Sequence, residues 1–168
     1  MGAGWPVLQK PEPDNIAFVR ARPRPTNNTS SPPALPTATM HALPAPLRAV
    51  LADDHPLVLA GLQMLFSTVD GITVVGEATH AGELTALLAR AAADLLVVDL
   101  GLLGPDAFRA LRELRGRHAA LRILVLTGNT APGTADAALA AGADGFLFKD
   151  GNIGALLPAI EALRAGRR

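Results

Sequence analysis

The sequence contains no cysteine, which excludes disulfides, cysteine-based metal sites and thiol catalysis. It also lacks an excess of either charge. Fifteen lysines and arginines balance fifteen acids, so no general attraction to nucleic acid or to a membrane surface is expected. No apolar run is long enough to cross a bilayer, and the most apolar stretch, LLVVDLGLLG, is interrupted by Asp99. The opening MGAGWPVLQK has neither the basic start nor the apolar run of a secretory leader. Asn27 and Asn28 fit the glycosylation pattern in NNTS, but without an export signal the match is read as incidental. These absences point to a cytoplasmic protein with no membrane partner.

What is present is a core former with a preamble. Over 168 residues, 49% are hydrophobic and 18% charged, which suits one well-filled domain. Ten of the fourteen prolines fall within residues 1–47, beside TNNTSSPP and isolated apolar pieces such as IAFV. Such a segment cannot bury enough surface to offset its ordering entropy, so residues 1–46 are expected to be a disordered tail and 47–168 the folded domain. Arg20, Arg22 and Arg24 are too few to mark an anion site and are read as solvated. Met40 is a candidate initiator, in which case residues 1–39 would not be translated.

From residue 48 the pattern alternates. Strands are expected at 48–53 (β1), 72–77 (β2), 94–99 (β3), 122–127 (β4) and 144–149 (β5). Helices are expected at 56–68 (α1), 81–93 (α2), 107–117 (α3), 134–142 (α4) and 153–166 (α5). The strands are β-branched and apolar on both faces, as a parallel sheet covered by helices requires. Five βα units therefore predict a doubly wound α/β fold. Pro158 falls inside the last helix, where it removes a hydrogen bond to the Gly154 carbonyl, so a bend or a loose first turn is expected there.

In an open parallel sheet, ligands bind beyond the carboxyl ends of the strands. β1 ends in Asp53 and Asp54, β2 in Glu77, β3 in Asp99 and β4 in Thr127, and β5 ends in Lys149. Each has a plain structural reading alone: Asp54 as a helix N-cap, Thr127 as a strand terminator, Lys149 as a surface charge. Together they imply one crevice rimmed by acids, a hydroxyl and an ammonium. Two carboxylates from adjacent strands can hold a hard divalent cation such as Mg²⁺, which offsets their repulsion. A further carboxylate can attack phosphorus and form an aspartyl phosphate. Lys149 and the metal would neutralise the phosphoryl oxygens, and the Thr127 hydroxyl would donate to one of them.

The motifs ADDHPLV, VVGEA, VVDL, ILVLT and GADGFLFKD resemble the receiver domain of two-component response regulators, particularly the NarL/FixJ type. The resemblance covers residues 47–166. It implies a flavodoxin-like (βα)5 fold with strand order 2-1-3-4-5, which sets β1 beside β3. It implies Asp99 as phosphoacceptor, Asp53 and Asp54 as the acidic pair of a Mg²⁺ site, and Gly101 as donor of a backbone carbonyl to the metal. Thr127 matches the switch hydroxyl, Lys149 the phosphate-contacting lysine and Phe146 the switch aromatic. The implied role is a signalling switch rather than an enzyme. Its partners would be a sensor histidine kinase or histidine phosphotransfer protein, with output, including a homodimer, through the face of α4, β5 and α5. No second histidine sits at a ligand spacing, and the place of His55 in the family's DDH pattern implies a positioning role or none rather than a metal ligand. Glu77, on an expected edge strand, stays outside the site.

Two departures qualify the resemblance. After the phosphoacceptor the family pattern has proline where Leu103 stands and glycine where Ala107 stands, with Pro105 displaced, so the loop is expected to have a changed backbone. The family also continues into a helix-turn-helix domain, whereas this sequence stops at EALRAGRR, so DNA binding is not carried over. A receiver-like interaction module that is never phosphorylated and a truncated LuxR-type transcriptional regulator are the alternatives. A phosphatase of the haloacid-dehalogenase type would need a second aspartate where Gly101 stands.

Overall fold

Apolar runs separated by helical periods can bury both faces of every strand only if helices return over both sides of a parallel sheet. The computed structural model, which describes residues 18–19, 45–149 and 153–165, follows that arrangement. Its parallel strands are β1 (Leu47–Ala52), β2 (Ile72–Ala78), β3 (Leu95–Asp99), β4 (Arg122–Thr127) and β5 (Gly145–Phe148). They pair in the order 2-1-3-4-5, so β1 and β3 are neighbours, as expected. The helices are α1 (Pro56–Ser67), α2 (Ala81–Arg90), α3 (Ala107–Arg117), α4 (Thr134–Ala140) and α5 (Leu156–Ala165).

One element was not expected. Phe18–Val19, inside the stretch read as a disordered tail, forms a two-residue strand antiparallel to β5, with Phe18 opposite Phe146 and Val19 opposite Gly145. β5 closes the five-stranded sheet on one side, and an outer strand presents unpaired N–H and C=O groups that another segment can satisfy. The arginines at 20, 22 and 24, Asn27, Asn28 and Met40 lie outside the described residues.

The sheet divides the core in two. Strand alternation sends Val50, Ala52, Val98, Ile123, Val125 and Phe146 to the side covered by α2, α3 and α4. Ala49, Leu51, Val97, Leu124 and Leu147 go to the side of α1 and α5, against Leu62, Phe66 and Ile160.

Helix ends differ from the periodic reading where a side chain intervenes. α2 stops at Arg90 because Asp94 takes the chain into β3: its N–H donates to the Arg48 carbonyl (2.8 Å) and its carboxylate accepts the Arg48 N–H (3.0 Å). At its other end, His80 accepts the Glu83 N–H while the Glu83 carboxylate accepts the Thr79 N–H, a reciprocal cap. That backbone hydrogen bond holds the Glu83 carboxyl below its ordinary value. The anomaly at Pro158 takes the form of a 3₁₀ turn, Ile153–Ala155. The α-helix begins only at Leu156, so Pro158 sits in its first turn, where an N–H has no intrahelical acceptor.

The end of the sheet away from the strand carboxyl termini is tied by Arg115 of α3. Its guanidinium donates to the carbonyls of Gly142 (3.0 Å) and Leu121 (2.6 Å) and pairs with the buried Asp144 carboxylate, which also accepts the Ile123 N–H (2.9 Å). Gly142 is required beneath it, because a Cβ there would lie 2.9 Å from Arg115 Cγ on a backbone with φ +112°. Breaking a buried pair leaves one charge uncompensated. Arg115→Met is therefore expected to lower the unfolding free energy by about 3 kcal/mol, read from the urea midpoint at unchanged m-value.

Candidate functional site

Asp53 continues the β1 alternation of Ala49 and Leu51, Asp99 that of Leu95 and Val97, and Lys149 that of Leu147. All three therefore emerge on the α1 and α5 side at one end of the sheet. Thr127 follows Ile123 and Val125 and emerges on the opposite side. The backbone ties the last two together, because the Lys149 N–H donates to the Thr127 carbonyl (2.8 Å).

Asp53 is 1% exposed and Asp99 5% exposed, so neither carboxylate is neutralised by bulk water. The neutralising group is the Lys149 ammonium, 2.7 Å from Asp53 Oδ2 and 2.9 Å from Asp99 Oδ1. Burial alone would push the lysine down, but the hydrogen bonds and charges of Asp53 and Asp99 outweigh it and hold the ammonium above its ordinary value. The other oxygens are also engaged. Asp99 Oδ2 accepts the Leu102 N–H (3.0 Å), and Asp53 Oδ1 accepts the His55 N–H (3.0 Å).

His55 lies between the acids of its own motif. Its Nδ1 is 3.1 Å from Asp53 Oδ1 and 2.8 Å from Asp54 Oδ1, an arrangement that orients both side chains. Asp54 is half exposed and faces solvent at the rim. Ligand atoms of Asp53, Asp54 and His55 lie within 4.8 Å of one another. Glu77 stays apart and accepts a hydrogen bond from Gln63 of α1.

The altered loop after Asp99 is a 3₁₀ turn, Gly101–Leu103. The Leu103 N–H donates to the Leu100 carbonyl (3.3 Å), a bond that proline could not make, and the Leu102 and Leu103 side chains are buried. Gly101 allows the turn to approach the acid, since a Cβ there would lie 2.7 Å from Asp99 Oδ2. The Gly101 carbonyl accepts the Gly104 N–H (2.9 Å), which uses one of its two lone pairs.

Between this loop and the start of α4 lies a crevice of about 470 Å³ lined by His55, Asp99, Phe108, Thr127, Asn129 and Lys149, among others. The Thr127 hydroxyl, buried at its edge, accepts the Asn129 N–H (3.1 Å). Phe146 does not line the crevice. It is fully buried, edge-to-face against Phe148 with ring centres 5.0 Å apart. The residues expected at the site thus fall into a charged group of Asp53, Asp99 and Lys149, a rim of Asp54 and His55, and Thr127 across the sheet. The carboxylate and carbonyl oxygens among these residues would suit a small divalent cation, with Asp53, Asp54, Asp99 and one lone pair of the Gly101 carbonyl as the groups to hold it.

Sequence reasoning missed the Leu102 and Asn129 N–H groups, because backbone donors leave no side-chain signature. It also missed the exposed apolar positions of α1. Leu57 and Met64 are 86% and 74% exposed. The signal was present in PLVLAGLQMLFS, which carries more apolar residues than one buried helix face needs.

Comparison with known proteins places these features. Residues 49–161 match the family model described as the response regulator receiver domain. The nitrate/nitrite response regulator protein NarL of Escherichia coli is 35% identical over 121 residues, covering 72% of this chain and 56% of that protein. A putative transcriptional regulator of Pseudomonas aeruginosa is 33% identical, covering 71% and 57%. The chain therefore spans little more than half the length of the curated relatives it matches. Among solved structures, the isolated receiver domain of RcsB from Salmonella enterica serovar Typhimurium superposes with a TM-score of 0.68 at 28% identity, covering 73% of this chain and 91% of that one. A LuxR-family two-component response regulator from Aurantimonas gives 0.67 at 40% identity, covering 74% and 89%.

Lys149→Met leaves Asp53 and Asp99 with no cation between them and is expected to cost about 2 kcal/mol of stability at neutral pH. Because the folded ammonium lies above its ordinary value of 10.5, its contribution is complete below that pH and is lost as pH rises through the folded value. The stability difference between wild type and variant, from urea midpoints, should hold from neutral pH to about pH 10 and shrink above it.

Proposed function

The chain belongs to the response regulator receiver family, and within it we propose a phosphorylatable switch in which Asp99 accepts a phosphoryl group from a histidine kinase or histidine phosphotransfer protein. The observation that carries this reading is the Lys149 ammonium set between the buried Asp53 and Asp99 carboxylates at the mouth of the crevice. An Asp99 oxygen attacks the phosphorus of a phosphohistidine, the new P–O bond forms as the P–N bond breaks, and the imidazole leaves with the electron pair. Mg²⁺, held by Asp53, Asp54 and Asp99 with the Gly101 carbonyl, would neutralise the phosphoryl oxygens. Lys149 leaves its bridging position to pair with one of them, and the Thr127 hydroxyl donates to another.

The product adds phosphoryl charge to a crevice whose single ammonium already faces two carboxylates. Thr127 and Lys149 are drawn toward that charge, and both are fixed to the ends of β4 and β5. Movement there reaches Phe146 and biases the face of α4, β5 and α5 between two arrangements, which needs only a few kcal/mol of differential stabilisation. Output is then contact with a partner protein or a second copy. The exposed Leu57 and Met64 on α1, the helix that also brings Val58 to the crevice, suit the docking of a protein donor over the site.

A second reading has its own support. Both Asp99 oxygens are already occupied, by Lys149 and by the Leu102 N–H, in a loop closed by an unusual 3₁₀ turn, as an interaction module that is never phosphorylated would allow. Incubation with acetyl phosphate and Mg²⁺ separates the two. The switch gains the mass of one phosphoryl group, and Asp99→Asn removes the gain, whereas the module gains none in either form. For donor docking, Leu57→Asp is expected to slow transfer from a phosphorylated histidine phosphotransfer protein by about tenfold, leaving the rate with acetyl phosphate unchanged.

A further inference from the structure

The strand Phe18–Val19 raises a separate question, because it lies on the part of the molecule proposed to carry output. Its register sets it against Gly145 and Phe146 of β5, and it also lies beside α5. Of two adjacent antiparallel pairs, one exchanges both N–H···O bonds and the next none, so this contact satisfies outward backbone groups of β5 in either phase. Without it, the outer side of β5 would present its donors and acceptors between α4 and α5, as a template for any extended segment.

We propose that the segment at Phe18–Val19 is an intramolecular cap on the β5 edge, closing the surface between α4 and α5 to a second copy of this chain. The assignment rests on the reading of that surface as the output face. The occupant is the chain's own segment for two reasons. The register is defined residue by residue, and a tethered strand meets its edge at an effective concentration of about millimolar, which a second copy must exceed. The cap lies on the strand that carries Phe146 and leads into Lys149, so pairing and the state of the crevice act on one element.

The test uses the full chain and the double variant Phe18→Pro/Val19→Pro, which removes both backbone donors of the cap and leaves the five parallel strands unaltered in sequence. Amide hydrogen exchange should quicken by about tenfold or more at Gly145 or Phe146, with Leu124 in the interior of the sheet unchanged. Sedimentation velocity should show the variant self-associating at about tenfold lower concentration than wild type. Equal exchange in both proteins would overturn the cap, and faster exchange without increased association would overturn the mask. Protection of β5 that grows with protein concentration would assign the edge to a second copy instead. Asp99→Asn keeps the exchange comparison independent of phosphorylation: if the switch reading fails, protection of β5 in that variant still supports the cap.

Discussion

Two acids buried at the ends of adjacent strands, and the single ammonium between them, are the constraint on which the rest of the molecule depends. At an effective dielectric constant of about 20, unit charges about 4 Å apart interact by about 4 kcal/mol. Asp53 and Asp99 facing one another without a cation would therefore remove a large share of the stability available to a domain of this size. Lys149 resolves the conflict only because β5 runs parallel to β4 and stops at Phe148, so that the next residue reaches across β4 to Asp99 and Asp53. The whole-strand register thus serves an ion pair, and the same balance makes the site responsive: any added anion or cation must displace something already in place.

Much of this was legible because a parallel sheet writes itself plainly. The central strands β3 and β4 are buried on both faces, so LLVV and ILVL appear as apolar runs that end abruptly at Asp99 and Thr127. The rule that ligands gather at strand carboxyl ends then reduces the search to a handful of residues, and Asp53, Asp99 and Lys149 do meet there. His55 was legible as a positioning residue for a different reason, its place in the DDH motif, and its contacts to Asp53 and Asp54 agree with that role.

Other features were hidden by the nature of the forces involved. The pairing of Phe18–Val19 with β5 is a backbone affair, and its isolated apolar letters in a proline-rich preamble carry no periodicity. The 3₁₀ turn after Asp99 depends on a short-range hydrogen bond and on two leucines finding the core, so the departure from the family pattern announced a change without its shape. Arg115 looked like one charge among several on an amphipathic helix. Its role appears only when Gly142, Leu121 and Asp144, distant in sequence, converge on its guanidinium. Pro158 announced the loose first turn that the 3₁₀ segment Ile153–Ala155 supplies, but where the α-helix begins, and so that the proline sits in its first turn, follows only from the structure.

The alternation of side chains at the strand ends has a further consequence. Lys149 and Thr127 are neighbours through a backbone hydrogen bond, yet they stand on opposite sides of the sheet. The sheet is thus a partition with a reader on each side, and one chemical event at its edge is registered in two rooms at once. Both residues line the one crevice, so a group bound there meets a hydroxyl from one side and an ammonium from the other. On the proposed reading, binding on the two faces is therefore thermodynamically linked by construction, and the domain is an arbiter between two partners as much as a relay from one to the next.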